Sequence, residues 1–310
     1  MISSRFVRQS LLMLSLSMIT TGVFAQAAAG AEYEPRVRQE GKDVVWLPTC
    51  QELVDKMLDM AKVTAQDYVI DLGSGDGRTV ITAAKRGARA LGIEYNPDMV
   101  ELSKRNAAKE GVADKTQFIE ADLFKSDFSQ ATVITMFLLT EINVSLRPRI
   151  LNLKAGTRIV SNTFTMGGWT ADQNATVEGK DCGDYYTALL WIVPAKVEGR
   201  WKLPEGELTL KQSFQTFSGR FKSGANITRV KGKLDGDLIT FSIGNASYTG
   251  RVSGSTMQGT AESGGSTTQW TATQVRKAFQ APSEKEKLSG KPWVSGLHSS
   301  RIEVRARERS

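Results

Sequence analysis

The sequence predicts an α/β region with a mostly parallel sheet, followed by a small all-β meander that forms a barrel or a sandwich. An apolar strand at residues 68–70 runs into the glycine-rich segment DLGSGDGR at residues 71–78. Strand and helix patterns then alternate to about Val193, which favours a parallel sheet covered on both faces. After Pro194 the chain becomes rich in Gly, Ser and Thr, with short alternating runs typical of antiparallel strands.

The α/β region is expected to occupy residues 31–195, and its elements follow one another in order. Apolar residues at helical spacing predict an amphipathic helix over residues 51–62. Asn96 supplies an N-cap and Pro97 a first helical residue, so a helix starts there and stops near Gly111. The other predicted elements are a helix at residues 141–151 and strands at residues 88–93, 116–120, 131–136, 157–160 and 185–193, the last one antiparallel.

The all-β region is expected at residues 199–276. Closely spaced glycines separate its alternating runs, which lie at residues 208–210, 214–221, 227–230, 238–243, 248–252 and 270–275. This spacing predicts a meander of short strands. Its aromatic residues are interpreted as core, with substrate docking or oligomerisation as the alternative: Trp201, Phe214, Phe217, Phe241 and Trp270.

The glycine-rich segment at residues 71–78 carries the clearest functional signal. Glycine has no Cβ, so such a turn can adopt positive φ angles and bring the main chain against a ligand. The pattern is acidic-x-Gly-x-Gly-x-Gly rather than the Gly-x-Gly-x-x-Gly of dinucleotide-binding folds, which favours S-adenosylmethionine over NAD. Asp71 is then placed to hold the ammonium group of this ligand.

Two more acidic residues follow the next two predicted strands. Glu94 ends the second strand, where an acidic side chain accepts from ribose hydroxyls. Asp122 follows the third strand and can accept from an adenine amino group. Acidic residues at the ends of three successive strands make a stronger prediction of a nucleoside site than the glycine turn alone.

The N-terminal residues have the pattern of an export signal. Arg5 and Arg8 precede an apolar stretch, and residues 23–25 have the small-x-small form of a signal-peptidase site. We expect a signal peptide at residues 1–25 and an exported, periplasmic protein; an uncleaved membrane anchor is the alternative. Because S-adenosylmethionine is made in the cytosol, export and use of this cofactor are in conflict.

Composition limits the remaining classes of function. Cys50 and Cys182 are the two cysteines, which suits one disulfide in an exported protein or two unpaired thiols. With His298 as the single histidine, we expect no metal site. The net charge of +7 comes partly from residues 277–310, a basic segment expected to be disordered and at most to make a weak contact with an anionic surface.

From Trp46 to about Gln173 the chain resembles the class I methyltransferases that modify lysine in the mitochondrial ATP synthase c-subunit and the adenine nucleotide translocase. The matching stretches are WLPT at 46–49, DLGSGDGR at 71–78, GIEYNP at 92–97, ADL at 121–123 and GWTAD at 168–172. The resemblance implies a Rossmann-like sheet, S-adenosylmethionine as cofactor and a protein lysine as acceptor. The predicted cofactor-binding residues are Thr49, Asp71, Gly73, Ser74, Gly75, Gly77, Glu94, Tyr95, Asp122 and Leu123.

Thr135, Glu141 and Trp169 are the candidates for the acceptor side of the site. Residues 135–149 are also similar to the non-SET histone lysine methyltransferases, in which Asn stands at the position of Thr135. Each has a simpler structural interpretation: Thr135 as a residue at a strand end, Glu141 as a charge at a helix start and Trp169 as an aromatic packed in the core. The fourth strand lacks the Asn/Asp-Pro-Pro-aromatic motif of enzymes that methylate base amino groups, so we predict no specific nucleic-acid partner.

Two other functions remain open at this point. Export favours a non-catalytic binding or scaffold module on a methyltransferase fold. A small-molecule methyltransferase fits the same residues. The acidic set of Asp71, Glu94 and Asp122 favours catalysis, because a scaffold need not keep a working cofactor site.

Overall fold

The structure is a computed structural model that describes residues 33–275. The predicted signal peptide at residues 1–25, the predicted tail at residues 277–310 and His298 lie outside this range. The chain forms two compact units that divide after Ala195, except that Leu234–Asp237 groups with the first unit. Between residues 33 and 275, no helix has the length and apolar character needed to cross a membrane.

The first unit contains four helices and seven strands in its described part. The helices are α1 (Gln51–Met60), α2 (Arg78–Lys85), α3 (Pro97–Lys109) and α4 (Thr140–Ile150). The strands are β1 (Tyr68–Leu72), β2 (Arg89–Glu94), β3 (Thr116–Glu120), β4 (Val133–Met136), β5 (Arg158–Asn162), β6 (Gln173–Thr176) and β7 (Thr187–Ile192).

These strands form one sheet in the order β3-β2-β1-β4-β5-β7-β6. The first five strands pair in parallel, whereas β7 is antiparallel to β5 and to β6. The mostly parallel sheet and the antiparallel late strand are therefore confirmed. Strand order reverses between β1 and β4, and such a reversal opens a ligand-binding crevice at the carboxyl ends of the strands.

Local sequence explains most element boundaries. At the start of α3 the Asn96 side chain accepts from the backbone N–H of Asp98 at 2.9 Å, with Pro97 in the first turn, as predicted. Helix α1 ends at Met60 rather than at residue 62, because Lys62 adopts a left-handed φ of 50°. The sequence analysis missed β6, a polar strand whose residues are largely exposed.

The second unit is a closed antiparallel barrel of eight strands, which decides between the predicted barrel and sandwich. The strands are β8 (Gly199–Leu203), β9 (Gly206–Ser213), β10 (Thr216–Ser223), β11 (Asn226–Asp235), β12 (Leu238–Ile243), β13 (Ala246–Ser253), β14 (Thr256–Ser263) and β15 (Ser266–Gln274). Pairing of β15 with β8, through Gln274 and Trp201, closes the ring.

Alternate side chains of the barrel strands fill its interior, as expected for a barrel of this size. Trp201, Phe217, Phe241 and Trp270 are buried, which agrees with their interpretation as core residues. Phe214 differs, because it lies in the turn between β9 and β10 with a φ of 53°. The run predicted from residue 214 therefore begins as strand at Thr216, and β8 and β14 were not among the predicted runs.

Candidate active site

Asp71 and Thr135 face each other at the strand-order reversal. They are register partners on β1 and β4, and the Thr135 hydroxyl donates to Oδ1 of Asp71 at 2.6 Å. Both side chains are buried. Thr135 thus contacts the residue predicted to hold the cofactor ammonium, and its position fits orienting that carboxylate rather than contacting the acceptor.

Burial raises the pKa of Asp71 to about 7, against the opposing effect of the Thr135 hydrogen bond and with an added contribution from the charges of Glu94 and Asp76. A carboxylate that is costly to ionise alone is stabilised by a cation placed beside it. The site therefore favours a positively charged ligand group at Asp71.

Stability should depend on pH through this carboxyl group. The pKa of Asp71 is about 7 when folded and about 4 when unfolded. Between about pH 4 and about pH 7 only the unfolded chain releases the proton, so the free energy of unfolding falls as the pH rises, by on the order of 2–4 kcal/mol in total. Asp71→Asn should remove this slope in calorimetric unfolding scans; an equal slope in both proteins would contradict the assignment.

The glycine-rich turn after β1 is held from two sides. The backbone N–H groups of Gly73 and Ser74 both donate to the carbonyl of Ile93 on β2, at 2.9 and 3.1 Å. Ser103 on α3 donates from its hydroxyl to the carbonyl of Gly75 at 2.9 Å. The turn is therefore fixed in place, with its main chain available to a ligand.

Two glycines in this turn are required by geometry. Gly75 has a φ of 55°, and a Cβ there would lie 2.6 Å from Nε1 of Trp46. Gly77 has a φ of 81° as the residue preceding α2, and a Cβ would lie 2.8 Å from the Phe118 ring. Either position therefore excludes an ordinary side chain.

Two adjacent pockets open at this sheet edge. The inner pocket is lined by Thr49, Asp71, Gly75, Arg78, Met136 and Phe137 among others. The outer pocket is lined by Lys42, Glu94, Tyr95, Asp122, Leu123 and Leu138 among others. Trp46, Leu47 and Gly73 line both. The structure thus groups nine of the ten predicted cofactor residues around these pockets; Gly77 lines neither and shapes the turn.

The acidic residues of the outer pocket make local hydrogen bonds. Glu94 accepts from the backbone N–H of Gly75 and from that of Tyr95, both at 2.9 Å. Asp122 accepts from the backbone N–H of Phe124 at 2.9 Å and lies 3.7 Å from Nζ of Lys42. These bonds fix the two carboxylates at the pocket wall, consistent with acceptance from ribose and adenine.

The segment before α1 forms a wall that the sequence analysis did not predict. Two backbone hydrogen bonds close a loop over residues 38–46: Arg38 donates to Trp46 at 2.8 Å, and Trp46 to Gln39 at 2.9 Å. Lys42 in this loop lies 5.4 Å from the centre of the Tyr95 ring. Residues 39–47 line the outer pocket, so we call this segment the N-terminal wall. The Trp-Leu-Pro-Thr match was its sequence signal.

Cys50 and Cys182 form a disulfide, which the sequence had left open. Their Cα atoms are 5.0 Å apart across a sequence separation of 132 residues. Cys50 precedes α1 directly after Thr49 of the inner pocket, and the carbonyl of Cys182 accepts from the N–H of Tyr185 at 3.1 Å. The disulfide therefore attaches the turn that carries Tyr185 to the wall of the inner pocket.

Three half-buried aromatic rings that the sequence analysis missed lie next to the inner pocket. Phe137 follows β4, Phe164 follows β5 and Tyr185 precedes β7, with ring centres 5.1 to 5.9 Å apart. We call them the aromatic trio. Buried Asn143 on α4 donates to the carbonyls of Phe164 and Thr165, both at 3.2 Å, which holds this turn. No sequence pattern linked these rings, because they come from three separate loops.

The other two acceptor candidates are not among the residues that line the two pockets. Glu141 is exposed in the first turn of α4. Trp169 is fully buried, with its ring centre 6.3 Å from that of Trp191 and its carbonyl accepting from Trp191 Nε1 at 2.8 Å. Their placement favours a helix-start charge and a packing aromatic, so the acceptor roles predicted for them are not supported by the geometry.

The donors and acceptors of the two pockets fit S-adenosylmethionine. A buried carboxylate suits its ammonium group, and Glu94 and Asp122 suit its hydroxyl and amino groups. The positions where a Cβ would clash keep the turn main chain open to it. The Ser74 hydroxyl is buried next to β2, since a Cβ on Gly92 would lie 2.5 Å from it, and it has no hydrogen-bond partner among the described residues.

The ANTKMT methyltransferase domain matches residues 71–173. A protein-lysine N-methyltransferase of Saccharolobus islandicus is 40% identical over 153 residues, which are 48% of this chain and 94% of that protein. The human lysine N-methyltransferase of the ATP synthase c-subunit is 33% identical over 161 residues, which are 51% of this chain and 65% of that protein. A solved RNA methyltransferase of Salinibacter ruber, in complex with S-adenosyl-L-homocysteine, is 43% identical with a TM-score of 0.46, over 49% of this chain and 96% of that one.

Proposed function

Because this chain belongs to the ANTKMT family of S-adenosylmethionine-dependent methyltransferases, we propose that it methylates the ε-amino group of a lysine in a protein. The observation that carries the proposal is the aromatic trio, whose member Phe137 lines the inner pocket together with Asp71. The similarity to an archaeal protein-lysine methyltransferase supports the same acceptor.

The cofactor would supply a methyl group on a sulfonium: the nucleophile would bond to the methyl carbon while the carbon–sulfur bond opposite it breaks, and S-adenosylhomocysteine would leave. The chain must therefore position the cofactor and the acceptor more than it must supply reactive groups. Asp71 would hold the ammonium group of the cofactor, and Thr135 orients Asp71 through its 2.6 Å hydrogen bond. The aromatic trio would guide the acceptor lysine toward the inner pocket.

A lysine reacts only after it loses its proton, because the nitrogen lone pair must form the new bond to the methyl carbon. Rings of Phe137, Phe164 and Tyr185 around the lysine would displace water and lower the pKa of its ammonium group. The same rings attract a cation by their π faces, which favours entry of the lysine and opposes part of this lowering of its pKa. Solvent takes up the released proton.

The proposal is tested by incubating the protein with methyl-labelled S-adenosylmethionine and a mixed protein extract. After acid hydrolysis of the protein fraction, we expect the label in methylated lysine. Label in arginine, or only in acid-soluble small molecules, would assign a different acceptor. The Asp71→Asn protein serves as the negative control.

Tyr185→Leu should slow methylation at limiting protein acceptor by about tenfold, because it removes one ring of the aromatic trio. Affinity for S-adenosylmethionine, measured by calorimetry, should change by less than about threefold, because Tyr185 is not among the residues lining the two pockets. Tyr186→Leu is the matched control, since this neighbouring tyrosine is 45% exposed and outside the trio. Equal rates for the two variants would remove the trio from the acceptor path.

We also propose that the protein acts after export, at the periplasmic side of the membrane. Arg5, Arg8 and the following apolar stretch support a signal peptide. The Cys50–Cys182 disulfide supports it independently, since disulfides persist in oxidising compartments. N-terminal sequencing of protein released by osmotic shock checks this; a chain that still begins at Met1 in the cytosolic fraction would contradict it.

A further inference from the structure

One side of the barrel carries most of its charged side chains. Outward positions on β8–β11 bear eight cations, all exposed: Arg200, Lys202, Lys211, Arg220, Lys222, Arg229, Lys231 and Lys233. The acidic residues at such positions are Glu207, near the start of β9, and Asp235, at the end of β11. We call this surface the basic face.

The other half of the same barrel provides an internal comparison. Outward positions on β12–β15 are mostly Ser, Thr and Gln, with one cation, Arg251, and one acid, Glu262. Both halves meet solvent in the same architecture, so the basic face exceeds what solubility requires. The excess of positive charge is therefore confined to the four adjacent strands β8–β11.

The centre of the basic face contains cations without acidic neighbours. Arg220 and Arg229 are direct register partners, and the next row places Lys211 and Lys231 on either side of Ser218. Like charges directly opposite each other destabilise a sheet. An anionic partner would relieve this repulsion, which indicates that the cluster serves binding rather than stability.

We propose that the basic face binds the surface of an anionic phospholipid bilayer. Its cations extend about 14 Å around the barrel wall, across four strands, and about 20 Å along them. This spread in two directions lets several lipid headgroups contact the basic face at once. Ile227 is 62% exposed beside Lys222 at one end of the face, where an aliphatic side chain can enter the interfacial layer.

A nucleic acid fits this face less well. Outward positions on β8–β11 hold no aromatic ring on which a base could stack, whereas single-strand binding relies on such rings. The cations lie on a continuous barrel wall rather than on a projecting helix or ribbon of the kind that enters a major groove. Charge complementarity therefore favours a lipid surface. Each cation near such a surface adds to the binding free energy without requiring a base-specific contact.

The test is co-sedimentation of the full chain with vesicles of phosphatidylcholine, with and without about one-third phosphatidylglycerol. We expect additional binding to the anionic vesicles, weakening as the salt rises from about 0.05 M to about 0.5 M. The variant Arg220→Gln, Arg229→Gln, Lys231→Gln should reduce the affinity of this component about 100-fold, at about fivefold per cation.

The matched control removes three exposed lysines from the first unit: Lys109→Gln, Lys115→Gln and Lys154→Gln. It has the same net charge as the triple variant and should bind anionic vesicles within about twofold of the original protein. Arg229→Gln alone, with an expected loss of about fivefold, keeps the test valid if the triple variant does not fold.

Three results would overturn the proposal. The first is no additional binding to anionic over neutral vesicles. The second is an equal loss in the triple variant and its control, or full binding by the triple variant, which would place the contact elsewhere in the chain. The third is tighter binding to duplex DNA or RNA than to anionic vesicles at the same salt, which would assign the basic face to nucleic acid.

Discussion

Replacement of Asp71 by Asn is expected to weaken S-adenosylmethionine binding about 100-fold, because the ammonium group would lose the buried carboxylate placed to hold it. Asp76, the other acidic residue lining the inner pocket, is already paired with Arg78. The variant should melt at the same temperature as the original protein or higher at about pH 7.5, since it no longer buries a charge there. The amide keeps the shape of the side chain and can still accept from Thr135. Titration calorimetry and thermal unfolding measure both quantities.

Asp98→Asn is the matched control for this experiment. Asp98 is exposed in the first turn of α3 and is not among the residues that line the two pockets. Its replacement by Asn removes one carboxylate, as Asp71→Asn does. Its affinity for the cofactor should change by less than about twofold. If Asp71→Asn binds as well as Asp98→Asn does, the ammonium is held elsewhere and the orientation of the cofactor in the site is wrong.

Reduction of the Cys50–Cys182 disulfide should lower the melting temperature of the first unit by about 5–15 °C. The disulfide spans 132 residues, and a cross-link over so long a loop stabilises the fold by about 2–5 kcal/mol in the chain-entropy account. Because this disulfide also holds the turn of Tyr185, reduction should raise the KM for the protein acceptor and leave cofactor affinity nearly unchanged.

The double variant Cys50→Ala, Cys182→Ala separates this effect from side reactions of the reductant. It should melt near the temperature of the reduced protein and show no response to dithiothreitol. A melting temperature of the unmodified protein that does not move on reduction would show that the disulfide contributes no stability.

Periodic local patterns were sufficient to predict the α/β sheet. The apolar runs of β1, β2 and β4, each followed by a helix, predict a parallel sheet without reference to the rest of the chain. The same reasoning missed β6, because the side chains of Gln173 and Asn174 are exposed and show no apolar alternation. Barrel closure was beyond local patterns too, since it depends on β8 pairing with β15, about 70 residues later.

The sequence was sufficient to predict many residues of the site, but not the contacts between them. Asp71, Glu94 and Asp122 could be identified because each ends or follows a strand. The bond between Asp71 and Thr135 depends on the register of two strands that lie 64 residues apart. The aromatic trio depends on three loops meeting in space. That Glu141 is exposed and Trp169 is buried depends on how the helices and strands pack.

Because of the N-terminal wall, the binding site needs a longer stretch of chain than the sheet does. All seven strands and four helices of the first unit lie after residue 50, whereas residues 39–47 supply much of the outer pocket. A fragment that began at Cys50 would keep the disulfide and every described element of the sheet, and it would lose the side of the pocket nearest Lys42. Domain boundaries drawn around the sheet would therefore yield a folded protein with an incomplete binding site.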